Sequence, residues 1–212
     1  MFTGIVEEVG TLKGVRVDAL AAVLEVTAEV VLEGAAVGDS ILTDGCCLTI
    51  TALRAHGFSA DVQPETLRRT TLAGGRPGDR LNLERAMTLS SRLGGHLVSG
   101  HVDGVGEVVA VTPEHNALTI DIEAPAAVAE VSVPQGSVAV DGVSLTIIAV
   151  QDERLRVGVI PHTAAVTTLA ALKRGTRVNL EADLIAKYVH AFVAGRKPGA
   201  GLTWETLAEA GF

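Results

Sequence analysis

Short apolar, threonine-containing runs broken by glycine, aspartate and proline dominate this chain. Val23-Leu24-Glu25-Val26-Thr27-Ala28-Glu29-Val30 and Leu118-Thr119-Ile120-Asp121-Ile122 alternate with the period of a half-buried strand. In the first half, turn residues fall at Gly34, Gly38-Asp39, Asp44-Gly45, Gly57, Gly74-Gly75 and Pro77-Gly78. Many short strands with a turn signal every ~8–12 residues predict an all-β barrel or sandwich. Closure into a barrel also removes exposed strand edges. Pro64 to Thr70 and Pro161 to Thr167 each suit a short helix with proline in its first turn. From Asp183 the pattern changes. Leu184, Ile185, Tyr188, Val189, Phe192 and Val193 make one apolar helical stripe, and Asp183 is placed to cap it. Gly195 to Gly201 reads as a breaker-rich loop, and Trp204 to Ala210 as a last short helix begun by Thr203.

The pattern occurs twice. Asp44-Gly45-Cys46-Cys47-Leu48-Thr49-Ile50 returns as Asp141-Gly142-Val143-Ser144-Leu145-Thr146-Ile147. Pro64-Glu65-Thr66 returns as Pro161-His162-Thr163, Thr70-Thr71-Leu72 as Thr167-Thr168-Leu169, and Asn82-Leu83-Glu84 as Asn179-Leu180-Glu181, all 97 positions on. Thr3-Gly4-Ile5-Val6 returns as Ser99-Gly100-His101-Val102, offset by 96. The period is that of a small domain and is too long for a solenoid repeat. Residues 1–97 and 98–182 are therefore expected to form two similar barrels, with 183–212 as a helical addition. Gly94-Gly95 reads as a flexible link between them.

Composition narrows the partners. The net charge of −8, with no basic block, argues against nucleic acid. With 48% hydrophobic but only 3% aromatic residues, aliphatic side chains must fill the interior. Two adjacent cysteines, Cys46 and Cys47, make no disulfide framework and suggest a reduced, cytoplasmic protein. The first residues lack the basic and apolar regions of a signal peptide, and no apolar run approaches the ~20 residues of a membrane span.

Several motifs carry a resemblance. Met1-Phe2-Thr3-Gly4-Ile5-Val6-Glu7, Asp44-Gly45-Cys46-Cys47-Leu48-Thr49, Gly94-Gly95-His96-Leu97-Val98-Ser99-Gly100-His101-Val102-Asp103 and Asp141-Gly142-Val143-Ser144-Leu145-Thr146 resemble those of the trimeric, internally duplicated riboflavin synthases. The resemblance implies two six-stranded Greek-key barrels and a C-terminal helix through which three subunits assemble. It implies four-carbon transfer between two molecules of 6,7-dimethyl-8-ribityllumazine, giving riboflavin and 5-amino-6-(D-ribitylamino)uracil, with no cofactor and no metal. The site would lie between the N-terminal barrel of one subunit and the C-terminal barrel of its neighbour. An association with lumazine synthase belongs to the same picture.

The resemblance also implies which residues act. Ligand-contacting segments correspond to Gly4, Ile5 and Val6, to Cys47, Leu48 and Thr49, and to Asp61, Val62, Gln63, Pro64, Glu65 and Thr66. In the second copy they are Gly100, His101 and Val102, then Ser144, Leu145 and Thr146, then Ile160, Pro161, His162, Thr163, Ala164 and Ala165. Gln135 stands at a ligand-contacting place where a relative has lysine, and Phe2 is expected as an apolar contact near the site or as a residue pinning the N-terminus to the barrel. Where the copies differ, donor and acceptor should separate: Ile5 against His101, Cys47 against Ser144, Ala86 against Asp183. One lumazine must lose a 7-methyl proton while the other is attacked near C7, which calls for proton transfer and an added nucleophile. His101 is the proton-transfer candidate, since an unperturbed imidazole titrates near neutrality. Cys47 is a nucleophile or polar assistant, and Ser144 a partner for a group added at C7. Thr146, Asp183 and Ser40 (repeated as Ser137) follow as further catalytic candidates, although Asp183 also reads as a helix cap and Ser40 as a turn residue. Pairing His96 with His101 on a metal is disfavoured by their separation of five.

The chain departs from the pattern at Asp44, where relatives often have asparagine, at Gln135, and at His162 in place of glutamate. A non-catalytic antenna protein of the same fold is the main rival reading. A flavin reductase would need a glycine fingerprint opening a helix, and Gly104-Val105-Gly106 is not one.

Overall fold

The structure, a computed structural model, describes residues 1–17 and 22–195. Two closed antiparallel barrels follow one another. The first holds β1 (Glu8–Val17), β2 (Ala22–Thr27), β3 (Ser40–Thr43), β4 (Cys46–Arg54), β5 (Gly57–Val62) and β6 (Arg80–Arg85), in the order β1-β2-β5-β4-β3-β6. A short helix α1 (Pro64–Arg69) precedes β6. The second barrel repeats the design with β7 (Gly104–Glu114), β8 (Ala117–Glu123), the one-turn helix α2 (Ala126–Ala129), β9 (Ser137–Val140), β10 (Val143–Gln151), β11 (Arg154–Val159), α3 (Pro161–Val166) and β12 (Arg177–Ala182). Helix α4 (Leu184–Ala194) leaves the second barrel. The expected all-β, two-barrel Greek-key architecture is thus present. The expected Trp204–Ala210 helix lies outside the described residues.

Alternation builds each barrel. In β4, Cys46, Leu48 and Ile50 point inward, and in β10 so do Val143, Leu145 and Ile147. Residues between them, Cys47 with Thr49 and Ser144 with Thr146, take the outer face. The first core is centred on Leu24, Ile50, Phe58 and Leu83, the second on Ile120, Ile122, Leu155 and Leu180. The β3–β4 and β9–β10 hairpins turn on Asp44-Gly45 and Asp141-Gly142. The φ values of 43° and 82°, then 44° and 78°, fit the Asp-Gly preference of a type I′ turn.

The barrels lock through reciprocal contacts. Asn82 Nδ2 donates to the Asp141 carbonyl at 3.0 Å, and Asn179 Nδ2 to the Asp44 carbonyl at 2.7 Å. Asn82 Oδ1 accepts from Thr168 N, and Asn179 Oδ1 from Thr71 N. The segments ahead of each barrel, residues 1–6 and 96–102, pair with one another at Phe2 and Val98 and then cross over. Val6 packs on the core of the second barrel and Val102 on that of the first. The Gly94-Gly95 link, expected to be flexible, is close-packed at Gly95. A Cβ there would collide with the Thr3 carbonyl and lie 2.8 Å from Ser144 Oγ.

Candidate active site

Two outward surfaces with the same backbone result. On the first, Thr49 pairs with Ser40 across β4 and β3; on the second, Thr146 pairs with Ser137 across β10 and β9. Thr49 and Thr146 are exposed, while Cys47 and Ser144 are half-buried. The crossing segments complete each surface. Cys47 N donates to the Gly100 carbonyl at 2.9 Å, and Ser144 N donates to the Gly4 carbonyl at 2.8 Å. Gly100 and Gly4 both sit at positive φ, and a Cβ on either would strike the strand it crosses, so only glycine fits. Cys47 therefore lies beside the segment that ends in His101, and Ser144 beside the segment that ends in Ile5.

The polar chemistry differs between the surfaces. At Ser144, Oγ lies 2.7 Å from Nδ1 of His96, a residue that sequence reasoning had set aside. His96 is buried and its Nε2 has no partner. Leaving an acceptor unpaired costs less than leaving a donor unpaired, so the proton belongs on Nδ1, donated to Ser144. The Ser144 hydroxyl hydrogen is then free to turn outward. Burial pulls the His96 pKa below its ordinary value, partly opposed by the charge of Asp183. His96 and Ser144 thus form one hydrogen-bonded pair that feels the charge of Asp183, with the imidazole neutral near pH 7. His96 has no counterpart in the first copy because it precedes the repeat, which is why comparing the copies missed it.

Asp183 does cap α4, its Oδ1 accepting from Ile185 N at 2.7 Å and from Ala186 N at 3.4 Å. Cys46 is buried and inert, its thiol pushed up by burial and by the neighbouring Asp44 charge. Several expected contacts have no exposed side chain. Leu48, Leu145 and Val62 point into the barrel cores, so only their backbone reaches the outer surface. Phe2 is fully buried with Leu42, Val98 and Ala139 between the barrels, so it acts as a packing pin in this chain.

The helix-turn segments flank the two surfaces. Asp61, Gln63, Pro64 and Glu65 are exposed beside Thr66, as are Ile160, Pro161, His162 and Ala165 beside Thr163 and Ala164. Glu65 is held below the ordinary glutamate range by Arg68, to which it is bonded at 2.6 Å. His162 has no such arginine one turn on. Gln135 adopts φ 66° where the first copy has Gly38 at φ 99°, and each donates its N–H to the fourth-strand carbonyl, Ile147 or Ile50. On the first barrel, an open groove of about 720 Å³ gathers Ile5, Ser40 and Ala86 beside Arg85 and Gly94. Among the described residues, no three His, Cys, Asp or Glu side chains converge to hold a metal.

Comparison with known proteins gives a consistent answer. The lumazine binding domain family matches residues 3–86 and again 99–183. The riboflavin synthase of Actinobacillus pleuropneumoniae is 41% identical over 215 residues, covering 100% of both chains. That of Mycobacterium bovis is 49% identical over 193 residues, covering 89% of this chain and 96% of the relative. The crystal structure of LumP complexed with riboflavin superposes with a TM-score of 0.80 at 26% identity, covering 86% of this chain and 99% of that one.

Proposed function

Since the chain belongs to the riboflavin synthase family, built from two lumazine-binding domains, we propose that it converts two molecules of 6,7-dimethyl-8-ribityllumazine into riboflavin and 5-amino-6-(D-ribitylamino)uracil. One observation carries the assignment of roles. Two surfaces of one design differ at Cys47 against Ser144, at Ala86 against Asp183 and, through the crossing segments, at His101 beside Cys47 against Ile5 beside Ser144. Equivalent backbones suit two copies of one substrate, and the differences let one copy give a four-carbon unit and the other receive it.

In this reading each lumazine lies over the outer face of a fourth strand. Thr49 and Thr146, with the helix-turn segments 61–66 and 160–165, take the polar ring edge and the ribityl chain. His101, next to Gly100 over Cys47, moves the 7-methyl proton of one lumazine. Cys47 adds to the reacting carbon or assists as a polar group, hydrogen-bonding a ring heteroatom beside it. On the other surface Ser144, oriented by neutral His96, donates its hydroxyl hydrogen to a hydroxide or alkoxide added at C7. Asp183 balances any proton that His96 takes up. The chemistry needs no electron carrier, because the two lumazines exchange the carbon unit between themselves.

A homotrimer with each site shared between neighbours completes the reading. It is supported by α4, whose Ile185, Tyr188, Val189, Phe192 and Val193 are all more than half exposed. No helix among the described residues is long and apolar enough to cross a membrane, and the free cysteines suit a cytoplasmic enzyme. Association with lumazine synthase would supply substrate directly.

The likeness to LumP favours a second reading, binding without turnover. The two are separated by incubating the purified protein with the lumazine alone and resolving the products. Riboflavin and the ribitylaminouracil should appear in equal amounts, each at half the lumazine consumed. Tight binding without product would replace the synthase reading by the antenna one.

A further inference from the structure

The repeated Asn-Leu-Glu motif contributes a buried glutamate to each barrel, Glu84 and Glu181, at 4% and 2% exposure. Neither has a cationic partner among the ion pairs of the described residues. Each carboxylate instead receives three donors from the crossing segment of its own half. Glu181 Oε1 accepts from Ser99 N and Ser99 Oγ, both at 2.7 Å, and Oε2 accepts from Gly100 N at 2.9 Å. Glu84 does the same with Thr3 N, Thr3 Oγ1 and Gly4 N, at 2.7, 2.7 and 2.9 Å. The hydroxyl that donates to the carboxylate also accepts the next backbone N–H. Ser99 Oγ accepts from His101 N, and Thr3 Oγ1 from Ile5 N, both at 3.3 Å. The held glycine offers its carbonyl across the seam, Gly100 to Cys47 N and Gly4 to Ser144 N.

We propose that Glu181 is a positioning residue for the reaction, one carboxylate fixing both His101, through Ser99, and Cys47, through Gly100. This inference rests on the roles given to His101 and Cys47 above. Glu84 is its counterpart, the same cradle with the same distances, which reaches Ser144 and Ile5 on the other surface and leaves His101 untouched. A buried carboxylate filled by three donors leaves little freedom to the residues it holds. Replacing it by a carboxamide keeps Oε1 as an acceptor but turns an NH₂ toward the glycine N–H, so the glycine end of the cradle is released. In Glu181→Gln that release reaches Cys47 and His101; in Glu84→Gln it reaches Ser144 and Ile5.

The test measures kcat, KM and the pH profile of kcat/KM for Glu181→Gln, Glu84→Gln and His101→Ala, with thermal midpoints alongside. The two glutamine variants should lose similar thermal stability, agreeing within about 3 °C, because their cradles match. Glu181→Gln should lose about tenfold or more in kcat with a smaller change in KM, the pattern of misplaced reacting groups. It should also distort the limb of the pH profile that His101→Ala removes, while Glu84→Gln leaves that limb in place. Equal pH profiles for the two glutamine variants, with His101→Ala still impaired, would reduce Glu181 to a structural residue and leave the site reading intact. An unimpaired His101→Ala would overturn the site reading itself. If the glutamine variants do not fold, Ser99→Ala and Thr3→Ala remove only the relaying hydroxyl, and the same split in pH profile is expected of them.

Discussion

The surface around Cys47 and the surface around Ser144 share strand register, turn chemistry and glutamate cradle, yet they differ in the polar groups around them. The first is reached by the segment carrying His101. The second has His96 bonded to Ser144 and influenced by Asp183. Duplication supplied two equal scaffolds. The differences sit on single outward positions and on segments that cross between barrels, where a substitution does not disturb a core. Pockets can thus diverge chemically while their frames stay superposable.

The crossing segments hold this comparison together, so breaking their junction should have the largest effect. Phe2→Ala empties the fully buried contact between the barrels and should cost about 3–5 kcal/mol in denaturant unfolding. A loss below about 1 kcal/mol would mean that the segments are only loosely held. Removing the imidazole proposed to carry a proton at one surface comes next. His101→Ala should lower turnover about 100-fold or more while the oligomer persists by sedimentation. Unchanged turnover would dismiss His101 from the chemistry.

A smaller effect should come from the seam between the two Asp-Gly turns. Burial, and for Asp44 the facing Asp141, raise both carboxyl pKa values, Asp44 well above the ordinary range. A carboxyl raised in the folded state holds its proton more tightly folded than unfolded, so its contribution is intact at low pH and is lost as pH rises from about 4 through the folded value. Burial of Glu84 acts with the same sign. His96, lowered in the folded state, acts oppositely, its contribution being present above about pH 6.5 and lost as pH falls through the folded value. Asp44→Asn imitates the protonated form and should gain about 1 kcal/mol at pH 8, with less gain at pH 5. Equal gains at both pH values would show that the two carboxyls do not share this cost.

Much of the fold was legible in the chain. Alternation in β4 and β10, the Asp-Gly turns and the cap at Asp183 all follow from local rules, and the structure keeps each of them. The matched offsets of 97 exposed the duplication, and the offset of 96 at Ser99 showed that one residue was gained or lost between the copies. What the sequence did not reveal was the crossing. Hydrogen bonds from Cys47 to Gly100 and from Ser144 to Gly4 join residues more than fifty positions apart and leave no trace in periodicity. The same blindness hid His96, which lies ahead of the repeat, and misread Gly95, where close approach rather than flexibility requires glycine. The burial of Phe2 was equally invisible, because an apolar second residue fits a ligand contact or a packing pin alike.

The central claim, that unlike half-sites on one chain meet their complements on a neighbour, is tested most directly by mixing. His101→Ala and Ser144→Ala should each be impaired alone, the first at the Cys47 surface and the second at the Ser144 surface. Co-expressed so that subunits mix, they should form some sites in which both surfaces are intact, and turnover should rise well above the sum of the separate variants. Turnover no greater than that sum, in oligomers shown by mass to contain both chains, would contradict the account.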